Sequence, residues 1–138
     1  MSRLRKFHLG VWLTLAGVVG GRAEWRAGDA LPQIEAWRAV AGKPDIAGKV
    51  VLVDFWASWC APCKASFQAY AQLNHEFSGQ GLVIVAVSVD ESPRAYQDFI
   101  RKLAPPFVTV HDAHQKLVRD ARVPTMPTAY LFGRDGHL

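Results

Sequence analysis

A cysteine pair three residues apart, at the end of an apolar run, constrains this chain more than any other feature. Residues 50–64 read VVLVDFWASWCAPCK. The valine-rich run over residues 50–55 predicts a short buried strand. It leads straight into Trp59, Cys60, Ala61, Pro62, Cys63 and Lys64, and a helical pattern follows. A strand that turns directly into a helix sets Cys60 at the helix N-terminus, where free backbone N–H groups and the macrodipole favour an anion. A thiol there gives up its proton more easily, and the thiolate is the reactive form. Cys63 stands one turn further on and can close a disulfide with Cys60, while Pro62 falls in the first helical turn, where proline is tolerated.

Such a pair could instead be a structural staple or half of a zinc site. A staple is weak on magnitude: closing a four-residue loop is worth only about 2 kcal/mol, against about 4.7 kcal/mol for a loop of about a hundred residues. A structural zinc site normally takes four ligands, and Cys60 and Cys63 are the only cysteines in the chain. Redox chemistry is the reading that the spacing favours.

The stretch resembles the thioredoxin superfamily, and within it the periplasmic TlpA/ResA-like thiol–disulfide oxidoreductases. Asp54-Phe55-Trp56-Ala57 and Trp59-Cys60-Ala61-Pro62-Cys63-Lys64 carry the resemblance, and Met126-Pro127-Thr128 is similar to the family's cis-proline loop. It runs from about Leu31 to the last residue. It implies a thioredoxin-like three-layer α/β/α sandwich in which Cys60 and Cys63 are the redox-active pair and Pro127 is a cis proline facing them. It also implies that Trp59, Pro62, Met126 and Pro127 form the substrate contact surface, with the Met126 backbone free to pair with an extended substrate strand. Pro124 is the weaker candidate for the cis bond. Ser66 departs from the pattern, since many TlpA-like chains carry Glu three residues after the second cysteine. The departure leaves Asp54 as the only nearby acid and counts against a cytochrome-maturation role that needs that Glu.

Asp54 interrupts the apolar strand on the side of Val50 and Leu52. If both sheet faces are covered, as in parallel sheets, burial raises its pKa. A buried carboxyl behind the pair could then serve Cys63 as general base or acid, the role the family gives this position.

The formal net charge of +4 does not point to nucleic acid. Four of the sixteen basic residues (Arg3, Arg5, Lys6, Arg22) lie in residues 1–23 with no acidic partner, leaving twelve against twelve acidic residues in the rest. Residues 1–23 read as a secretory signal: a positive start, an apolar core over residues 9–19 too short to span a bilayer, and Gly21-Arg22-Ala23 for cleavage before Glu24. An uncleaved membrane anchor is the alternative. Residues 24–138 are then one exported domain. Export puts the cysteine pair in an oxidising compartment, where keeping it reactive takes a dedicated redox partner.

Along the chain, the pattern predicts an edge strand over residues 31–36 and a central strand over residues 50–57. A helix over residues 64–77 buries Phe67, Tyr70 and Phe77 as core, with His75 on the surface, and Gly79 and Gly81 break it. LVIVAVSV, residues 82–89, is a second doubly buried strand, closed by Asp90-Glu91-Ser92. Ser92-Pro93 starts a helix that Pro105-Pro106 stops. A short extended piece covers residues 107–111. Asp112 and Gln115 suggest a capping box for a helix reaching about Val123, and His111 and His114 read as a solvated pair. A strand over residues 128–132 precedes the turn Gly133-Arg134-Asp135-Gly136. The family would continue past Leu138 with an edge strand and a helix, so a fragment of a longer protein is expected.

The sequence therefore predicts thiol–disulfide exchange on exported proteins, most readily as a reductase, with Cys60 attacking and Cys63 resolving with help from Asp54. No organic cofactor or metal is called for, the protein acts as a monomer, and electrons come from a membrane-bound thiol donor. The rival is a periplasmic Cu(I)-binding metallochaperone on the same fold, with Met126 adding a thioether to the two thiolates.

Overall fold

The computed structural model describes residues 24–31 and 44–138. Two valine-rich runs form its centre. β1 (Val50–Trp56) and β2 (Leu82–Ser88) pair in parallel, with Asp54 opposite Ala86. β3 (Val108–His111) extends the sheet in parallel beyond β2, and β4 (Thr128–Phe132) runs antiparallel on the other side of β1, giving the order β3-β2-β1-β4. The long apolar runs belong to the two inner strands, which need apolar residues on both faces.

The helices begin and end where their local chemistry dictates. α1 (Ala61–Phe77) has Cys60 as its N-cap and Pro62 in its first turn. After it, Gly81 sits at φ 93°, a left-handed conformation natural to glycine. A Cβ there would also meet the Arg134 guanidinium at 2.9 Å, and that group donates to the Gln80 and Gly48 carbonyls. α2 (Pro93–Leu103) starts at Ser92, whose Oγ accepts from Ala95 N–H at 3.3 Å, and ends before the two prolines.

The side chains of β1 alternate between two packed faces. Val51, Val53 and Phe55 share one with Tyr130 and Phe132, and Trp25 closes it, edge-on to Phe55, Tyr130 and Phe132 at 5.0–6.0 Å between centroids. The other face carries Leu52, Asp54 and Trp56. There Trp56 meets Phe67 of α1 and Phe99 of α2 at 4.9 and 4.5 Å, and Phe107 packs on Phe67 at 5.3 Å. These contacts place α1 and α2 on the Asp54 side of the sheet.

Three expectations change. The edge strand expected over residues 31–36 falls mostly on residues 32–43, outside the described residues; Ala30 makes a single antiparallel bridge to His137. The helix expected to reach Val123 is one short turn, α3 (Lys116–Asp120). Gln115 adopts φ 50°, so it cannot serve as a helical N3 residue, and its side chain donates to the Val89 carbonyl instead of returning to Asp112. Asp112 still caps, accepting from Lys116 and Val118 N–H at 2.9 and 3.0 Å. Finally, His111 is half-buried, stacked on Tyr96 at 4.9 Å with its Nε2 2.7 Å from the Asp90 carbonyl oxygen, while His114 is exposed. The aromatic neighbour and the carbonyl supply what solvent was expected to.

The predicted turn forms, with Gly136 N–H donating to the Gly133 carbonyl at 2.9 Å. The returning residues pair with the N-terminal segment, through Leu138 N–H to the Asp29 carbonyl and Gly28 N–H to the Leu138 carbonyl, both 2.8 Å. Residues 1–23, where the secretory signal is expected, lie outside the described residues. Among the described residues no helix is long and apolar enough to cross a membrane.

Candidate active site

Where β1 gives way to α1, the chain makes one tight turn. Cys60 N–H donates to the Ala57 carbonyl at 3.0 Å, and Cys60 Sγ accepts from Cys63 N–H at 3.3 Å. The sulfur thus takes the place of the usual capping oxygen, directed at the donors of the first helical turn. Cys60 and Cys63 form a disulfide with an S–S distance of 2.06 Å. Cys60 is 5% exposed and Cys63 fully buried, so of the two cysteines it is Cys60 that reaches the surface. Trp59 projects beside it, 71% exposed, and Pro62 is exposed on the first turn.

A buried acid holds this turn in place. The Asp90 carboxyl, at the end of β2, accepts from Ser58 N–H at 3.1 Å and from the Ser58 and Ser88 hydroxyls at 2.8 Å each. Val89 N–H also donates to the Trp56 carbonyl at 2.9 Å. The turn before Cys60 is therefore tied to the neighbouring strand through backbone and side chain alike.

The Met126–Pro127 peptide is cis. Thr128, the next residue, pairs with Phe55 across the antiparallel ladder, which sets the Met126-Pro127 loop at the same end of the sheet as the cysteine turn. Met126 and Pro127 are both partly exposed there.

Asp54 lies under α1 and is fully buried. Tyr70, on the same helix as Cys63, donates from its hydroxyl to Asp54 Oδ1 at 3.2 Å; Oδ2 is buried without a partner among the described residues. Burial pushes the Asp54 carboxyl up from 3.8 to about 7, and the Tyr70 hydrogen bond opposes part of that rise. The result is an acid that exchanges a proton near neutral pH beneath the cysteine-bearing helix.

Of the seven residues singled out from the sequence, Cys60, Cys63, Trp59 and Pro62 stand at the head of α1, Met126 and Pro127 in the loop at the same end of the sheet, and Asp54 under α1 against Tyr70. Sequence reasoning missed Tyr70, read only as core, and Asp90, read only as the end of a strand. Tyr70 lies seven residues after Cys63, a spacing that returns to the same helix face. Asp90 carried no such signal. Among the described residues no group of three or more His, Cys, Asp or Glu side chains is arranged to hold a metal ion.

A family model described as thioredoxin-like matches residues 48–138. The chain is 36% identical over 92 residues to the thiol-disulfide oxidoreductase ResA of Bacillus subtilis, covering 67% of this chain and 51% of that one. It is 31% identical over 121 residues to ResA of Oceanobacillus iheyensis, covering 83% and 63% respectively. The chain thus spans about half to two-thirds of the length of these curated relatives. Among solved structures, a Chlorobium tepidum protein assigned as the thiol:disulfide interchange protein DsbE aligns with a TM-score of 0.73 at 29% identity, over 83% of this chain and 82% of that one. With residues 48–138 matched by this family model and the fold shared with that solved structure, the chain belongs to the thioredoxin-like family, with ResA-type proteins among its relatives.

Proposed function

We propose that this protein is a thiol–disulfide oxidoreductase of exported proteins that works as a reductase. The observation that carries the reading is the Cys60–Cys63 disulfide at the head of α1, above a buried carboxyl held near neutral pH. In the reduced protein the Cys60 thiolate attacks one sulfur of a substrate disulfide. A mixed disulfide forms, and the other substrate sulfur leaves as a thiolate that takes a proton from solvent. Asp54 accepts the proton of Cys63, whose thiolate attacks Cys60 Sγ and expels the second substrate thiolate. The substrate disulfide is reduced by two electrons, and the Cys60–Cys63 pair is oxidised by the same two.

Trp59, Pro62, Pro127 and the Met126 backbone form the contact surface for an extended substrate segment. Residues 1–23 act as a secretory signal that delivers residues 24–138 to the periplasm. There a membrane-bound thiol protein returns the pair to the dithiol. The relatives' shared description as thiol-disulfide oxidoreductases supports exchange chemistry over a Cu(I)-binding module.

The test is the redox midpoint of the pair, measured by thiol trapping after equilibration in dithiothreitol and glutathione buffers. A reductase has a midpoint near or below thioredoxin's, about −270 mV; a value near DsbA's, about −120 mV, would reverse the direction. A folded sample with no reversible two-electron transition would end the enzymatic reading.

A further inference from the structure

Asp54 presents an asymmetry that its burial alone does not explain. One carboxyl oxygen has a hydrogen-bond donor and the other, equally buried, has none among the described residues. Buried polar atoms without partners are uncommon, and each calls for a role. The surroundings of Asp54 narrow that role. Its register partners are Ala86 on β2 and Ala129 on β4, neither of which titrates or donates from a side chain. No ion pair among the described residues reaches it. From α1 it meets Tyr70, and Lys64 on that helix is exposed. The only other titratable group on the buried face of α1 is Cys63, once reduced.

The helix geometry connects these groups. Cys63, Phe67 and Tyr70 are spaced four and three apart, so they form one stripe on the sheet-facing side of α1. Side chains on a helix lean toward its N-terminus, which carries the Tyr70 hydroxyl back along that stripe toward Cys63. Burial, then the charge and hydrogen bond of Asp54, push the Tyr70 phenol well above its ordinary range, against a smaller opposing effect of Ser66. The phenol therefore stays protonated and remains a donor throughout the neutral range.

We propose that Tyr70 is a positioning residue for proton transfer at Cys63: its hydroxyl anchors Oδ1 of Asp54 and leaves Oδ2 as the oxygen that takes and returns the proton. The proposal rests on the reading of Asp54 as the proton carrier. When Cys63 is deprotonated, its S–H bond breaks and an O–H bond forms at Oδ2, with no net change in the charge of the site. The Tyr70 proton stays on the phenol and stabilises the carboxylate before the transfer. A phenylalanine at position 70 would keep the ring but leave both oxygens of Asp54 without a donor among the described residues.

The experiment is the pH profile of the resolving step, followed as decay of the Cys60–insulin mixed disulfide formed in a single turnover of the reduced full chain, for the wild type, Tyr70→Phe, Asp54→Asn and the double variant. The carboxyl 13C titration of Asp54 in the oxidised wild type and Tyr70→Phe proteins accompanies it. Loss of a charge-assisted hydrogen bond raises the Tyr70→Phe inflection by about one pH unit, roughly a tenfold loss of rate on its acidic side. The 13C midpoint of Asp54 moves upward with it. Asp54→Asn abolishes the inflection, and adding Tyr70→Phe to it changes nothing further. An unmoved 13C midpoint, or a rate lowered equally at every pH, would overturn the proposal and leave Asp54 as carrier without Tyr70. If Asp54→Asn kept the inflection, the carrier reading itself would fail, and the proposal with it.

Discussion

Replacing Asp54 by asparagine changes how the stability of this protein depends on pH, because this carboxyl's contribution runs in the direction opposite to that of carboxylates held charged by ion pairs. In the folded oxidised protein Asp54 titrates at about 7 instead of 3.8, chiefly because burial disfavours its charge. Between those values the native chain keeps a proton that the unfolded chain has already released. Stability from this group is therefore greatest below pH 3.8, declines as pH rises through the window, and levels off above about 7. At about 1.4 kcal/mol per pH unit, the window corresponds to a loss of about 4 kcal/mol. The amide of the Asp54→Asn variant does not titrate, so every other group cancels in the comparison of the two proteins. Urea unfolding of both oxidised proteins at pH 4 and pH 8 reads the effect. The variant's stability relative to the wild type should rise by about 4 kcal/mol across that range, whatever constant offset the buried amide brings. A difference that stays the same at both pH values would refute the claim that Asp54 is held protonated by burial. A rise of the expected size would mean that the fold retains, at neutral pH, a group that weakens it, as expected where proton transfer is needed.

Two further outcomes follow from the packing. Asp90→Ala leaves the Ser58 N–H and the Ser58 and Ser88 hydroxyls without their acceptor. It should lower stability by about 2–3 kcal/mol in urea unfolding and speed the reduction of the Cys60–Cys63 disulfide by dithiothreitol; an unchanged reduction rate would show that the turn holds its shape without Asp90. Phe67→Ala empties the space between Trp56, Phe99 and Phe107 and should cost about 3–5 kcal/mol by the same assay, whereas a loss under about 1 kcal/mol would mean the aromatic cluster closes over the gap.

The sheet centre was legible because two doubly covered strands need long apolar runs, and residues 50–55, broken only by Asp54, and 82–87 supply them. The head of α1 was equally legible: Cys60, Pro62 and Cys63 occupy positions that local helix chemistry assigns, and the cap forms as that chemistry requires. Pro127 was reached through resemblance, and the ladder from Thr128 to Phe55 then placed its loop at the same end of the sheet as the cysteine turn. What escaped the sequence joins residues far apart in the chain. Tyr70 reads as one more aromatic on an apolar stripe until the fold sets its hydroxyl on Asp54. Ser58, Ser88 and Asp90 are ordinary polar residues until two parallel strands end side by side. The short α3 was overestimated because a capping box assumes a helical residue at Gln115, and its left-handed backbone, with the side chain held by the Val89 carbonyl, outweighs that local preference.

The most direct test of the account is trapping of the mixed disulfide. The reduced Cys63→Ser and Cys60→Ser variants are each mixed with a disulfide-bearing protein, quenched in acid and examined by mass spectrometry. The account predicts that Cys63→Ser accumulates a stable adduct at Cys60, whereas Cys60→Ser, left with a thiol that the fold buries completely, forms little or none. Adducts forming equally on both variants, or only through Cys63, would contradict the assignment of Cys60 as the attacking thiol and Cys63 as the one that resolves.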